Sequence, residues 1–286
     1  MSRFKNIAHS SVERYRLATN SMRLAPDFMI IGTQRGGTTS LYNYLSEHHS
    51  IAPASMKEVH FFDNNFEKGL PWYRAQFPPA FQKHFSENIR RRGFVTGEAS
   101  PYYLFHPHVP KRAAAIVPHT KLIVLLRNPV ERAYSQYFHE VELGHEHLSF
   151  EEALAQEEAR THEEEARILA HEQYYSYNHQ HYTYLARGLY IDQLQRWMAL
   201  FPREQFLIIK SEDFYTHPDA VLSKTLAFLN ISQQSKQREQ TYRQYNNSKY
   251  PQARLDPHLR KQLVAYYEPY NARLYEFLGL DFGWDH

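Results

Sequence analysis

The segment from Asp27 to the helix beginning near Ser40 constrains the fold more than any other stretch of this chain. Asp27 to Gly32 (DFMIIG) is a short apolar run that stops at glycine. TQRGGTTS follows it, and SLYNYLSEH then places Leu41, Tyr44 and Leu45 on one helical face. A buried strand, a glycine loop and an amphipathic helix, in that order, open an α/β fold. Such a junction brings backbone N–H groups and the positive end of a helix to one point, which suits an anion. Gly36 and Gly37 let the backbone approach a phosphate, and Thr38, Thr39 and Ser40 add hydroxyl donors. A tight turn with a Ser/Thr helix cap is the plainer alternative for the same residues.

Further strands are expected at Gly93 to Gly97 (GFVTG), Lys121 to Leu126 (KLIVLL) and Gln205 to Lys210 (QFLIIK), separated by helical patterns. The alternation predicts a three-layer α/β fold, with a central parallel sheet flanked by helices. Phe150 to Glu172, rich in Glu, Ala and Arg with few apolar anchors, reads as a solvated helix. Leu194, Trp197 and Leu200 mark an amphipathic helix, and Asp256 to Leu278 reads as one or two helices ending at Gly279. Residues 1–25 read as a polar N-terminal arm and 26–286 as a single domain, since nothing in the middle of the 286 residues resembles a linker.

Composition narrows the function. A hydrophobic share of 42% is ample for a packed core, and a formal charge of +2 is too small for bulk electrostatics to imply nucleic-acid binding. Any anion must be gripped by locally placed Arg and Lys. The absence of cysteine excludes disulfides, thiolate zinc sites and a cysteine nucleophile. The first 22 residues lack the apolar run of a secretory signal and no stretch approaches a membrane span, so a cytoplasmic location is expected.

Gly32 and Gly37 have the separation of the nucleotide-hydrolase pattern G-x-x-x-x-G-K-[ST], but Thr38 stands at the lysine position. That lysine reaches the terminal phosphates in nucleotide hydrolases, so its loss argues against them. Arg35 supplies positive charge from inside the loop instead. KLIVLL runs into Arg127 where a magnesium-binding acid would stand, and LLRNPVERAYS puts that arginine at a strand's carboxyl end, where open α/β sheets bind ligands. Arg127 and Ser135 suit a second phosphate, whereas Arg132 is as readily an ordinary surface or ion-paired residue.

IIGTQRGGTTSLYNYL, KEVHFFD and LIVLLRNPVERAYSQYFHE, in that order and spacing, resemble the sulfotransferases that use 3'-phosphoadenosine-5'-phosphosulfate (PAPS). The nearest branch is that of the heparan sulfate glucosamine N- and 3-O-sulfotransferases, and the likeness extends over almost everything after residue 26. The resemblance implies PAPS as donor and adenosine 3',5'-bisphosphate as product. The loop from Arg35 to Ser40 would hold the 5'-phosphosulfate, Arg127 and Ser135 the 3'-phosphate, and Lys249 and Tyr250 would belong to a segment closing over the nucleotide. This chain departs from the branch in carrying Arg35 for a lysine, Ala99 for a lysine in GEASPYY, and no cysteines for a hairpin disulfide.

Sulfuryl transfer needs an in-line nucleophile, neutralised charge on the leaving phosphate, and a base for the acceptor proton. Glu58 and His60 are two apart, so on an extended segment they point the same way. With the family motif behind them, Glu58 is the expected general base and His60 its orienting partner or a donor to the sulfuryl group. Arg35 would stabilise the departing phosphate, with no metal required. The pairs His106/His108, His145/His147 and His179/His181 lack a third ligand at a diagnostic spacing and are expected on the surface. Tyr174, Tyr175, Tyr177, Tyr182 and Tyr184 read as buried packing residues rather than an acceptor platform. The acceptor is expected to be a small molecule, a glycan or a lipid precursor bearing a hydroxyl or amine. The competing readings are a P-loop small-molecule kinase and a non-catalytic anion- or glycan-binding protein.

Overall fold

Apolar runs become the strands of one sheet: β1 (Phe28–Gly32), β2 (Ile51–Pro53), β3 (Val95–Ala99), β4 (Lys121–Leu126) and β5 (Phe206–Lys210). A computed structural model describes residues 11–232 and 255–285. The strands are parallel and lie in the order β2-β3-β1-β4-β5. Central β1 and β4 are covered on both faces, which is why their sequences are nearly continuous apolar runs. Alternate residues enter different cores, as the two-residue period of a strand demands. Met29, Ile31, Leu122 and Val124 pack with Phe61, Phe62, Tyr73 and Trp197, while Phe28, Ile30, Ile123 and Leu125 pack with Leu41, Leu45, Phe214 and Leu222.

Helices cover both faces. After β1 comes α1 (Thr38–Ser46). Between β4 and β5 lie α2 (Pro129–Leu143), α3 (Phe150–Thr161), α4 (Glu164–Ala170), α5 (Tyr177–His181) and α6 (Tyr190–Met198). After β5 come α7 (Ser211–Thr216), α8 (Pro218–Phe228) and α9 (Pro257–Leu278). Residues 11–18 are also helical, and Arg16 and Arg23 bond the carbonyls of Ala75, Gln76 and Phe77.

The strand expected at Gly93 to Gly97 lies two residues later than the sequence suggests, because pairing rather than composition sets it. Val95 to Gly97 pair with β2, and Gly97 to Ala99 pair with β1. A β-carbon on Gly97 would sit 2.5 Å from the Phe28 carbonyl oxygen, so the close approach of β1 and β3 requires glycine. The stretch read as one solvated helix is two helices, broken where Glu163 turns left-handed at φ 59°. A Ser149/Glu152 capping box starts the first of them. Glu157 of α3 is buried and accepts from the Leu185 and Ala186 N–H groups, a contact no local pattern encodes. The C-terminal segment is a single helix that ends at Gly279 in the left-handed region.

Candidate functional site

Gly32 of β1 pairs with Val124 of β4, so the loop after β1 and the Arg127 that follows β4 emerge side by side. The chain turns in opposite directions along the sheet from these two strands, and that reversal opens a crevice at their carboxyl ends. Within the loop, Thr33 N–H donates to the Leu125 carbonyl at 2.8 Å and Gly36 N–H to that of Thr33 at 2.9 Å. Gly37 opens α1 at φ 95°, a conformation side chains resist, and no side chain caps the helix there. The first-turn N–H groups therefore point into the crevice without a side-chain acceptor from the cap residue.

Three of the expected phosphate contacts are joined. Arg35 Nε donates to Ser135 Oγ at 3.0 Å, and Arg127 Nη1 donates to the Arg35 carbonyl at 3.1 Å. Ser135 is presented by α2, which Asn128 caps with its side chain and Pro129 begins. Burial, then the like charge of Arg127, pulls the Arg35 guanidinium below its usual value, while Glu142 and Glu140 oppose the shift. Two arginines tied to the same loop in this way favour an anion in their neighbourhood. Thr38 and Ser40 are buried at the start of α1. Lys249 and Tyr250 lie outside the described residues.

The other expected catalytic residues lie on Lys57–Asp63, in the segment after β2. It is not extended: Glu58 and His60 both adopt left-handed backbone, at φ 58° and 50°. The two side chains nonetheless meet, His60 Nε2 lying 3.3 Å from Glu58 Oε2. His60 Nδ1 lies 2.7 Å from Oδ2 of Asp63, whose side chain is fully buried. Lys57 Nζ sits 3.1 Å from Glu58 Oε1. Burial would lower the His60 imidazolium, but Asp63 and Glu58 outweigh it and hold it up to about 10. Burial would raise Glu58, and the His60 hydrogen bond with Lys57 nearby outweighs that, leaving it below the usual carboxylate value. At neutral pH the segment presents a carboxylate beside an imidazolium. His139 of α2 feels charges from both groups: burial and then Arg35 lower its pKa, while Glu140, Glu142 and Glu58 act in the other direction.

Sequence reasoning missed several groups here. Asp63 was visible three residues after His60 and had no assigned role. Arg187, 2% exposed, donates to Gln34 of the loop and to the carbonyls of His179 and Gln180. Ser211 Oγ donates to the Gly36 carbonyl at 2.8 Å, and Tyr215 lies under Arg127 at 5.9 Å. No local signal in the sequence marks these last contacts.

Two surface assignments are corrected. His106 and His179 are buried, with His179 Nδ1 2.6 Å from the Tyr102 hydroxyl, and His181 and His145 both bond Glu140. Helical packing, not H-x-H spacing, decides their environment. Arg132 is fully buried, donating to Gln136 and to the Tyr184 carbonyl. Of the tyrosine run, Tyr184 is buried while Tyr175 and Tyr177 are exposed, so burial holds for only part of it. Ala99 is buried among Ile30 and Leu41, so no charge stands at its position.

The family model described as "Sulfotransferase domain" matches residues 25–270. A membrane-associated sulfotransferase of Dictyostelium discoideum is 29% identical, over 91% of this chain and 66% of its own length. The human heparan sulfate glucosamine 3-O-sulfotransferase 6 is also 29% identical, over 92% of this chain and 74% of its own. The crystal structure of a sulfotransferase from Alicyclobacillus acidocaldarius aligns with 92% of this chain and 100% of that one, at 33% identity and a TM-score of 0.65. Among the described residues no helix is long and apolar enough to cross a membrane.

Proposed function

The chain belongs to the sulfotransferase domain family, and from that premise we propose that it transfers a sulfuryl group from PAPS to a hydroxyl or amine. The observation that carries this reading is the linked pair of anion sites: the Arg35 loop at the head of α1, and Arg127 with Ser135, joined by two hydrogen bonds. PAPS carries phosphates at both ends of its ribose, and a crevice with two adjoining cationic grips fits such a ligand. The absence of a lysine at Thr38 speaks against the kinase alternative.

In the reaction the acceptor oxygen or nitrogen attacks sulfur as the bond from sulfur to the 5'-phosphate oxygen breaks. The electron pair leaves with that oxygen, whose charge Arg35 and the α1 N–H groups receive. Glu58 takes the acceptor's proton. His60, charged by its two carboxylate neighbours, spends Nδ1 on Asp63 and either holds Glu58 through Nε2 or turns that N–H to a sulfuryl oxygen. Asp63 keeps His60 oriented and cationic, a positioning role.

A small cleft that includes Asp63, the partner of His60, is lined also by Phe66, Glu67, Glu172, Tyr174 and Tyr175. Its acidic character disfavours a heavily sulfated polymer and favours a neutral or amine-bearing small molecule, glycan or lipid precursor as acceptor.

Calorimetric titration tests the nucleotide assignment. Adenosine 3',5'-bisphosphate should bind more tightly than AMP, and Arg127→Ala should weaken it tenfold or more, the equivalent of losing a charged hydrogen bond of about 1.5–3 kcal/mol. Retention of the 3'-phosphate preference by that variant overturns the site. Sulfate transfer from labelled PAPS, screened over neutral, amine-bearing and polysulfated acceptors, tests the reaction and its acceptor class together.

A further inference from the structure

We propose that Glu140, His145 and His181 form a binding site for a divalent cation of the zinc class, distinct from the residues that carry sulfuryl transfer. Glu140 sits on the last turns of α2 with its side chain fully buried. His145, just past the end of that helix, and His181, at the end of α5, each bring Nδ1 to 2.9 Å from Glu140 Oε2. The three ligand atoms lie within 4.8 Å of one another. A zinc ion with ligand bonds of about 2.0–2.2 Å fits among them after shifts smaller than a bond length.

A second observation points the same way. The other carboxylate oxygen, Glu140 Oε1, is buried without a hydrogen-bond partner, an arrangement folded proteins rarely tolerate. A cation beside it would supply the missing positive charge. The donor set also selects the metal. Two imidazoles and one carboxylate suit zinc, whereas magnesium and calcium prefer oxygen ligands throughout. Three protein ligands leave a position for water or another donor. His181 Nε2 faces the Tyr175 hydroxyl at 3.5 Å, giving the outer support typical of ligating histidines. The His145 side chain, 29% exposed, offers the way in from solvent. Bound there, a cation would add a further tie between the end of α2, the loop after it and α5, which the Gln136–His181 and Tyr182–His145 hydrogen bonds already join.

The alternative is a carboxylate bridged by two imidazoles with no ion, and one experiment separates the two. The whole protein, stripped with chelator, is titrated calorimetrically with zinc chloride and with magnesium chloride, and retained metal is counted after dialysis. One zinc per chain is expected, with no magnesium binding. His181→Ala and Glu140→Gln should lose at least about 100-fold in zinc affinity, while His147→Ala should retain it. Zinc should raise the melting temperature of the parent, reversibly with EDTA, and leave those two variants unmoved. Should His181→Ala fail to fold, His145→Gln at the more exposed ligand carries the same expectation. Cobalt(II) in place of zinc should give visible bands of a four- or five-coordinate ion in the parent only. A parent that retains no zinc, or zinc bound equally by Glu140→Gln and His145→Gln, overturns the site.

Discussion

Glu58 and Glu98 both lie close to His60, and their surroundings drive them in opposite directions. Glu98, at the end of β3, is fully buried and accepts hydrogen bonds from Tyr73 at 2.7 Å and Ser100 at 2.8 Å, with Tyr103 at 3.3 Å. Burial nevertheless dominates and pushes its carboxyl up to about 7. The Glu58 side chain is 35% exposed, and its neighbours hold it below the usual carboxylate value. By basicity alone Glu98 would be the better proton acceptor near neutral pH. It cannot touch an acceptor, because its oxygens are enclosed by three hydroxyls.

The contrast teaches that a perturbed carboxyl is not by itself a catalytic one. Glu98 instead supports the loop that carries His60: Ser100, which it accepts from, in turn accepts the His60 backbone N–H at 3.1 Å. On the proposed reading Glu58 is the weaker base but the more exposed of the two carboxyls.

Glu58→Gln should produce the largest effect. It keeps size and removes the basic oxygen, so transfer should fall by roughly 10²- to 10⁴-fold while adenosine 3',5'-bisphosphate still binds. Rates and nucleotide affinity measured on one preparation decide the matter, and a variant that transfers at the parent rate would remove Glu58 as base.

Glu98→Ala breaks the other half of the contrast. It leaves buried hydroxyls without an acceptor, so stability should fall by about 1–3 kcal/mol in urea titration. Transfer per folded molecule should fall far less than in Glu58→Gln. A folded Glu98→Gln protein with a loss as deep as that of Glu58→Gln would place the base at Glu98 after all.

The smallest effect concerns pH. The His60 value is raised in the folded state, so its stabilising contribution is complete below the ordinary 6.5 and is lost as pH rises through about 10. The Glu58 value is lowered, so its contribution is present above the ordinary 4.5 and is lost on acidification through the folded value. Asp63→Asn should move the His60 titration, followed by NMR, down towards neutrality. An unchanged titration would show that Asp63 does not sustain the imidazolium.

Much of this was legible along the chain. The apolar runs of β1, β4 and β5, the glycine loop, the helix face of Leu41 and Leu45, and the end of α9 at Gly279 are local facts of periodicity and backbone freedom. Arg35 was named from its place in the loop after β1, and Arg127 and Ser135 from the motif that follows β4, and the parallel pairing of β1 with β4 does bring the three together. The three-residue β2 was not legible, since so short a strand has no period to read. Nor was the left-handed backbone of Glu58 and His60, which arises in a loop anchored by the Tyr103 hydroxyl and Ser100 rather than by its own sequence.

Residue types and spacing determined which groups this protein has to work with and on which side of the sheet they emerge. The tertiary structure alone decided that Glu98 is enclosed, that Asp63 stands behind His60, and that histidines from two separate H-x-H pairs converge on Glu140. The physical reason is range. A strand or helix is specified by neighbours a few residues away, whereas burial and charge pairing are set by whichever distant segments packing brings into contact.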